Sequence, residues 1–294
     1  MVNIGFIGLG IMGKPMAGHI LKAGYPMHVY NRSKDKAAEL VSNGAILAST
    51  PAEAAKASDI IITIVSDTAD VEEVLFGENG VADGLSPGKI VVDMSTISAD
   101  ATRIFAKRVA EKGATMLDAP VSGGDIGAIN AKLTIMVGGK ESAYNKCVPV
   151  FKTMGTKITH MGPSGSGQAT KMVNQIMVAV NLVGVCEGLL LASKEKLDLD
   201  ALIDVISGGA GNSAQLTLNG AKMVKRDFLP GFMVDLAVKD LGIVQQAQRA
   251  HKLASPSTAL AAQLLSAAQS EEGGGKLGTQ AVLKALERLS NHHI

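Results

Sequence analysis

Ile4-Gly5-Phe6-Ile7-Gly8-Leu9-Gly10-Ile11-Met12-Gly13 reads as a short apolar strand running into three glycines spaced Gly-x-Gly-x-x-Gly, with a helical segment from about Met12 to Lys22. Between a strand and a helix, each glycine has a distinct physical task. Gly8 allows a tight turn, Gly10 lets the backbone approach a pyrophosphate, and Gly13 permits close helix–strand packing. The helix's first amides have no acceptor inside the helix and can bind phosphate oxygens. Gly8, Leu9, Gly10, Ile11, Met12 and Gly13 are therefore candidate contacts of a dinucleotide.

Outward from this segment, short β-branched runs alternate with helical ones. Strands are expected at Asn3–Ile7, Met27–Tyr30, Ile60–Val65, Ile90–Met94, Thr115–Leu117, Leu133–Val137 and Lys157–His160. Helices are expected between them, at Lys34–Asn43, Ala52–Ala57, Val71–Leu75, Ala99–Lys112 and Glu141–Met154. Buried strands separated by helices indicate an α/β fold with a largely parallel, doubly wound sheet of the Rossmann type. After Gly162-Pro163-Ser164-Gly165-Ser166-Gly167 the pattern becomes purely helical, at Gln168–Lys194, Asp200–Ser207, Ala214–Met223, Val234–Arg249, Ser257–Ala268 and Gly278–Leu289. The expected organisation is a dinucleotide-binding domain over residues 1–163 and an all-α domain over 164–294, joined by a long interdomain helix. Gly162-Pro163 is read as the hinge and Gly273-Gly274-Gly275 as a mobile loop.

A length of 294 residues suits two domains, and 47% hydrophobic with 19% charged residues describes a folded chain. A formal charge of +1 gives no reason to expect nucleic acid or an anionic membrane as partner, so attraction for an anionic substrate must be local. The apolar run at Ile176–Ala192 is interrupted by Asn181, Gly184, Glu187 and Gly188, and reads as a helix at the centre of a soluble domain rather than a membrane span. Cys147 and Cys186 lie among apolar neighbours and read as buried thiols. With no signal or transit pattern before the first strand, a cytoplasmic protein is expected. His19, His28, His160, His251, His292 and His293 are scattered or terminal, and no set with metal-ligand spacing is present, so no catalytic metal is expected.

The end of the second strand selects the nucleotide. A carboxylate there would bind a ribose 2′-hydroxyl, but this chain has Tyr30-Asn31-Arg32-Ser33-Lys34. Arg32 can stack on adenine and pair with a 2′-phosphate, while Asn31 and Ser33 can donate hydrogen bonds, which favours NADP(H) over NAD(H). The same residues also make an ordinary solvated basic turn. Because ligands bind at the carboxyl ends of parallel strands, Val65 and Ser66 on one strand end and Thr96 on the next are further candidates. Thr96 can offer its hydroxyl to the nicotinamide ribose or carboxamide, or it can cap a helix.

The chemistry points to Gly165-Ser166-Gly167-Gln168-Ala169-Thr170-Lys171-Met172-Val173-Asn174-Gln175, which opens the long helix. Lys171, Asn174 and Gln175 share a helix face. Hydride transfer to a carbonyl needs a proton donor, and the reverse reaction needs a base; a lysine serves both directions. A free lysine titrates at about 10.4, so desolvation and a neighbouring nicotinamide cation would have to lower it. The other reading is a lysine that snorkels to solvent. In Asp118-Ala119-Pro120-Val121-Ser122-Gly123-Gly124, the Ser122 hydroxyl and the Gly123 and Gly124 amides can receive a carboxylate, or form a plain turn. Lys239-Asp240, taken alone, is equally an exposed charge pair.

These four separated segments, in this order, resemble the β-hydroxyacid dehydrogenase family over essentially the whole chain. The resemblance implies that Lys171 is the catalytic lysine and that Ser122, Gly123, Gly124 and Asn174 contact substrate. It also places Lys239 beside cofactor and substrate and raises Thr96 as a cofactor contact. Phe232 and Asp240 match positions that line the site in the semialdehyde-reducing branch. The expected reaction is hydride exchange between NADP(H) and a short β-hydroxy acid/semialdehyde pair of the 3-hydroxyisobutyrate, tartronate semialdehyde, glyoxylate or succinic semialdehyde type. The expected partner is a small anionic carboxylate substrate, in a homodimer or homotetramer formed through the helical domain. A catalytically silent NADP-binding scaffold and an NAD-dependent 3-hydroxyisobutyrate dehydrogenase are the alternatives.

Overall fold

The structure, a computed structural model, describes residues 2–294. Its contacts divide into two compact units, one ending at Lys171 and the other spanning Met172–Ile294.

The first unit is built on one nine-stranded sheet: β1 (Ile4–Ile7), β2 (Met27–Tyr30), β3 (Ile46–Leu47), β4 (Ile60–Thr63), β5 (Ile90–Asp93), β6 (Thr115–Asp118), β7 (Val121–Ser122), β8 (Leu133–Gly138) and β9 (Gly155–Gly162). The order β3-β2-β1-β4-β5-β6 is parallel throughout, the doubly wound arrangement with its switch point at β1/β4. β8 pairs antiparallel with β6 and β7 and parallel with β9. β1, β4 and β5 are buried along their full length, which is why they read as continuous Ile/Val runs rather than alternating ones. Two apolar clusters flank the sheet. One includes Phe6, Met16, Ile20, Val92, Leu117 and Phe151; the other includes Ile7, Ile61, Leu75, Val91, Phe105 and Met116.

Two short strands carry too little apolar pattern to be read from sequence. β3 is a two-residue edge whose residues are exposed, and β7 is two residues beside the Gly123-Gly124 turn. The helix Gly124–Ile129 is likewise too short and glycine-rich to show a period. Ser98, not Thr96, caps the Ala99–Glu111 helix, accepting from the Ala101 amide.

The second unit consists of helices and turns: the remainder of the Ser166–Lys194 helix, Leu199–Ser207 capped by Asp198, Ala221–Val224 preceded by a π-helical turn at Leu216–Gly220, Val234–Ala250, Pro256–Gln269 and Val282–Ser290. Their core contains Leu182, Cys186, Leu189, Met223, Leu241, Leu265, Leu283 and Leu286. Gly273-Gly274-Gly275, expected from composition to be a mobile loop, runs into a defined turn at Gly274–Lys276. It makes a 3₁₀ turn, with Gly274 buried and a side chain at Gly275 blocked by the Asp235 carboxylate. The long helix is long and apolar enough, by length and composition only, to cross a membrane, and its Val173, Met177 and Leu191 are exposed. Both cysteines are free and buried; burial pushes the Cys147 thiol up to about 12 and the Cys186 thiol higher still.

The glycine loop shows why Gly8 and Gly13 cannot carry a side chain. Gly8 adopts φ +99°, and a Cβ there would stand 2.1 Å from the Ile64 carbonyl oxygen. At Gly13 a Cβ would stand 1.9 Å from the Gly8 carbonyl oxygen. At Gly10 it would meet nothing within 4 Å. Gly13→Ala is therefore expected to cost roughly 2–3 kcal/mol of stability or more. Gly10→Ala should cost less than about 0.5 kcal/mol. Urea unfolding of the two variants, compared with the parent chain, checks this; equal stabilities would refute the packing argument.

Candidate active site

In-register pairing aligns the carboxyl ends of the central strands. Ile7 pairs with Tyr30 and Thr63, Thr63 with Asp93, and Asp93 with Asp118. The loops that follow these residues carry the candidates of the first unit, so Gly8–Gly13, Asn31–Ser33, Val65-Ser66, Thr96 and Ser122–Gly124 leave the same edge of one sheet.

Asn31 has a task that the sequence did not disclose. Its side-chain oxygen accepts from the Leu9 amide at 2.8 Å, and its amide nitrogen donates to the Ser33 carbonyl at 2.9 Å. Asn31 thus ties the glycine loop to the end of β2, while Arg32 and Ser33 remain exposed to anything bound there. Met12, at the N-cap of the Gly13–Lys22 helix, supplies no side-chain acceptor, and no acidic residue lies in the first turn. An open Gly10, an uncapped helix start and no carboxylate nearby on that turn suit a pyrophosphate.

At the β4 and β5 ends, the Val65 amide donates to Ser95 Oγ at 2.9 Å, and Ser95 Oγ donates to Asp93 Oδ1 at 2.7 Å. Thr63 Oγ1 donates to the same oxygen at 2.9 Å. Asp93 is fully buried, and desolvation lifts its pKa to about 6 against the hydrogen bonds from Ser95 and Thr63.

β6 ends at Asp118, whose carboxylate receives the Gly165 amide at 2.8 Å and the Gln168 amide at 2.9 Å, at the start of the Ser166–Lys194 helix. Desolvation raises its pKa against these bonds. A Cβ at Gly167 would stand 2.5 Å from the Asp118 and Met136 carbonyl oxygens, so only glycine lets the helix start this close to the strand ends. Gln168 is fully buried: its Nε2 donates to the Ser95 carbonyl at 2.7 Å, and its Oε1 accepts from the Ile97 amide at 3.1 Å. Sequence reasoning quoted Asp118 and Gln168 inside motifs but gave neither a role, because their partners are about 50 and 70 residues away.

One turn further, Lys171 is 8% exposed and donates from Nζ to the Val121 carbonyl oxygen at 2.8 Å. The snorkelling alternative fails on this burial. The contacted carbonyl belongs to the peptide that leads into Ser122, so amine and loop are joined directly. Gly123 (φ +135°) and Gly124 (φ +64°) turn the chain there, which explains the Gly-Gly pair.

The remaining candidates lie in the second unit. Asp240 is 3% exposed; its Oδ1 lies 2.8 Å from Lys239 Nζ, and its Oδ2 accepts from Gln175 Nε2 at 2.7 Å. Gln175 Oε1 accepts from Asn174 Nδ2 at 2.8 Å. The pair is thus no exposed surface feature but the base of a chain of bonds that orients Asn174. Phe232 is half-buried against the helical core, and its carbonyl accepts from the Thr279 amide.

Residues 3–162 match the family model for the NAD-binding domain of 6-phosphogluconate dehydrogenase, and residues 165–286 match that for the NAD-binding of NADP-dependent 3-hydroxyisobutyrate dehydrogenase. Over 293 residues, covering 100% of both chains, the sequence is 44% identical to 2-hydroxy-3-oxopropionate reductase of Escherichia coli strain K12. The chain belongs to the β-hydroxyacid dehydrogenase family. The fold of this hydroxyacid dehydrogenase is also similar to that of Mycobacterium tuberculosis 3-hydroxyisobutyrate dehydrogenase, solved with L-serine (TM-score 0.89, 32% identity, 97% of this chain and 99% of the other). A further likeness is to Psf3 in complex with NADP+ and 2-OPP (TM-score 0.88, 27% identity, 96% and 99% covered). Pyridine-nucleotide-binding domains are thus present in a chain of the oxidoreductase class.

Asp93 gives a pH signature. Its folded pKa lies above the unfolded value near 3.8, so between about pH 4 and 6 the folded protein keeps a proton that the unfolded chain has lost. Its contribution to stability therefore falls as pH rises through that window and levels off above about 6. Asp93→Asn should gain stability over the parent chain between pH 4 and 7, on the order of 3 kcal/mol. Denaturant unfolding at pH 4, 5, 6 and 7 measures this; a pH-independent difference would refute the assignment.

Proposed function

We propose that this protein interconverts a short β-hydroxy acid and its semialdehyde with NADP(H), using Lys171 as general acid and base. The observation that carries the reading is the Lys171 amine, sequestered from solvent and bonded to the carbonyl that precedes Ser122. Bound nicotinamide supplies or removes the hydride. The chain's own residues handle the anion and the proton. The Ser122 hydroxyl and the Gly123-Gly124 backbone receive the substrate carboxylate, since successive amides in a turn form a concavity that favours anions. Lys171 Nζ donates its proton to the developing alkoxide oxygen during reduction and takes it back during oxidation. Asn174, oriented through Gln175 and Asp240, supplies a polar contact to the substrate. Phe232 is assigned to the substrate side and Lys239 to both ligands. Gly8–Gly13, Asn31, Arg32, Ser33, Val65, Ser66 and Thr96 hold the dinucleotide.

The substrate class rests on the named relatives. The E. coli relative is a 2-hydroxy-3-oxopropionate reductase, and L-serine, present with the mycobacterial relative, is itself a β-hydroxy acid. The assay panel is 3-hydroxyisobutyrate and tartronate semialdehyde, which belong to that class, with glyoxylate and succinic semialdehyde, whose reduction places the hydroxyl α and γ to the carboxylate. The NADP(H) preference rests on Arg32 at the end of β2 and on the NADP+ bound in one structural neighbour. The exposed apolar residues Val173, Met177 and Leu191 support self-association through the helical unit as a homodimer or homotetramer. We further propose that it works in the cytoplasm, without a nucleic-acid or membrane partner.

Lys171→Ala should lower kcat on the best panel substrate by roughly two to four orders of magnitude, the range for lost general acid–base catalysis. Its Kd for NADPH, read by fluorescence titration, should change less than about threefold. Near-parental turnover would reduce Lys171 to a structural role. Arg32→Glu should weaken NADPH by about tenfold or more, the loss of at least one charge-assisted hydrogen bond, and NADH much less. Equal weakening of both would show that Arg32 does not read the 2′-phosphate.

A further inference from the structure

Thr96 is bracketed by one side chain. Gln168 Nε2 donates to the carbonyl of Ser95, immediately before it, and Gln168 Oε1 accepts from the amide of Ile97, immediately after it. The two bonds span 73 and 71 residues of sequence and close at 2.7 and 3.1 Å around a side chain with no solvent exposure. A primary amide presents N–H donors and a carbonyl acceptor in one plane, so it holds a peptide segment much as a neighbouring strand would. Gln168 is itself fixed. Its own amide donates to Asp118 Oδ2, and the neighbouring Gly167 has no room for a side chain. The other side of the loop is tied as well, since Ser95 Oγ bridges Asp93 and the Val65 amide. Gln168 precedes Lys171 by three residues on one helix, so both side chains leave the same face, one turn apart.

We propose that Gln168 is a positioning residue for the reaction: its amide clasp sets the Thr96 hydroxyl in register with the helix face that carries the Lys171 amine. This inference rests on the reading of Thr96 as a nicotinamide-side contact and Lys171 as the proton-transfer group. Gln168 touches no reacting atom. It holds the loop that presents the nicotinamide contact to the helix that presents the proton-transfer group. Geometric misplacement of a reacting pair lowers kcat steeply while leaving remote binding intact. The clasp should thus act on turnover rather than on the adenosine end of the dinucleotide, which the glycine loop and the β2 end hold.

The test is a double-mutant cycle with Gln168→Met, an apolar side chain of similar length, and Thr96→Ala, measured with NADPH and the best panel substrate. Gln168→Met is expected to lower kcat about tenfold or more, to change substrate KM less than about threefold, and to leave the Kd of 2′,5′-ADP unchanged. In the Thr96→Ala background, the same substitution should lower kcat by less than about threefold, because its route of action is already gone. An equal loss in both backgrounds, or no loss in either, overturns the proposal. A fall in thermal stability with kcat intact at temperatures where the variant is folded also overturns it, and reduces Gln168 to a structural role. If Gln168→Met does not fold, amide exchange of the parent chain decides: the Ile97 amide must be protected as a buried hydrogen-bonded group, and exchange at the rate of an open loop overturns the clasp. Lys171→Ala, assayed alongside, separates the two claims. If that variant turns over normally, the proposed chemistry fails whatever the cycle shows. If it is inactive and the cycle is additive, only the role of Gln168 fails.

Discussion

A lysine amine held away from solvent is tolerated only where the fold supplies an acceptor, and here the acceptor is the main-chain carbonyl of Val121. That bond requires the rest of the surrounding construction. The helix bearing Lys171 has to start against the strand ends, which is possible because Gly167 has no side chain. Its first amides have to be satisfied, and the buried Asp118 carboxylate does this from the end of β6. The strand before Ser122 has to present its carbonyl inward, and the short antiparallel pairing of Val121 with Ile135 holds it so.

The same economy of position governs the nucleotide end. Parallel strands in register finish together, and every loop that follows them starts from one edge. Side chains from distant segments then meet there: Asn31 with the Leu9 amide, Ser95 with the Val65 amide, and Gln168 with both neighbours of Thr96. Desolvation at this edge is severe enough to keep Asp93 protonated to about pH 6, a stability cost that the architecture accepts in exchange for a rigid strand end.

In the helical unit, one line of polar side chains runs through Lys239, Asp240, Gln175 and Asn174. A buried carboxylate with a cation 2.8 Å from one oxygen and an amide donating to the other has its charge compensated locally, which allows it at a buried position. The outward stripe of the long helix is the contrary case. Its apolar residues are not consumed by the core of this unit, so the chain carries hydrophobic surface that its own packing does not use.

How much of this was legible beforehand depended on the range of the interaction. Local patterns carry their own evidence. The Gly8, Gly10 and Gly13 spacing, the Ile/Val runs of β1, β4 and β5, the switch to helices after Gly165, and the lysine one turn into the long helix could all be read from neighbouring residues, and the family resemblance followed from their order. What could not be read were bonds between residues about 50 or 70 positions apart: Asp118 to the helix start, Gln168 around Thr96, Lys171 to Val121, Gln175 to Asp240. Two-residue strands such as β3 and β7 escaped for a related reason, since a pair of residues has no period to detect. The one-dimensional chain determined which groups exist and which local shape each segment takes, because backbone sterics and apolar periodicity act over a few residues. Only the three-dimensional packing decided which groups are desolvated and which donor meets which acceptor, because burial and long-range hydrogen bonding are properties of position in space.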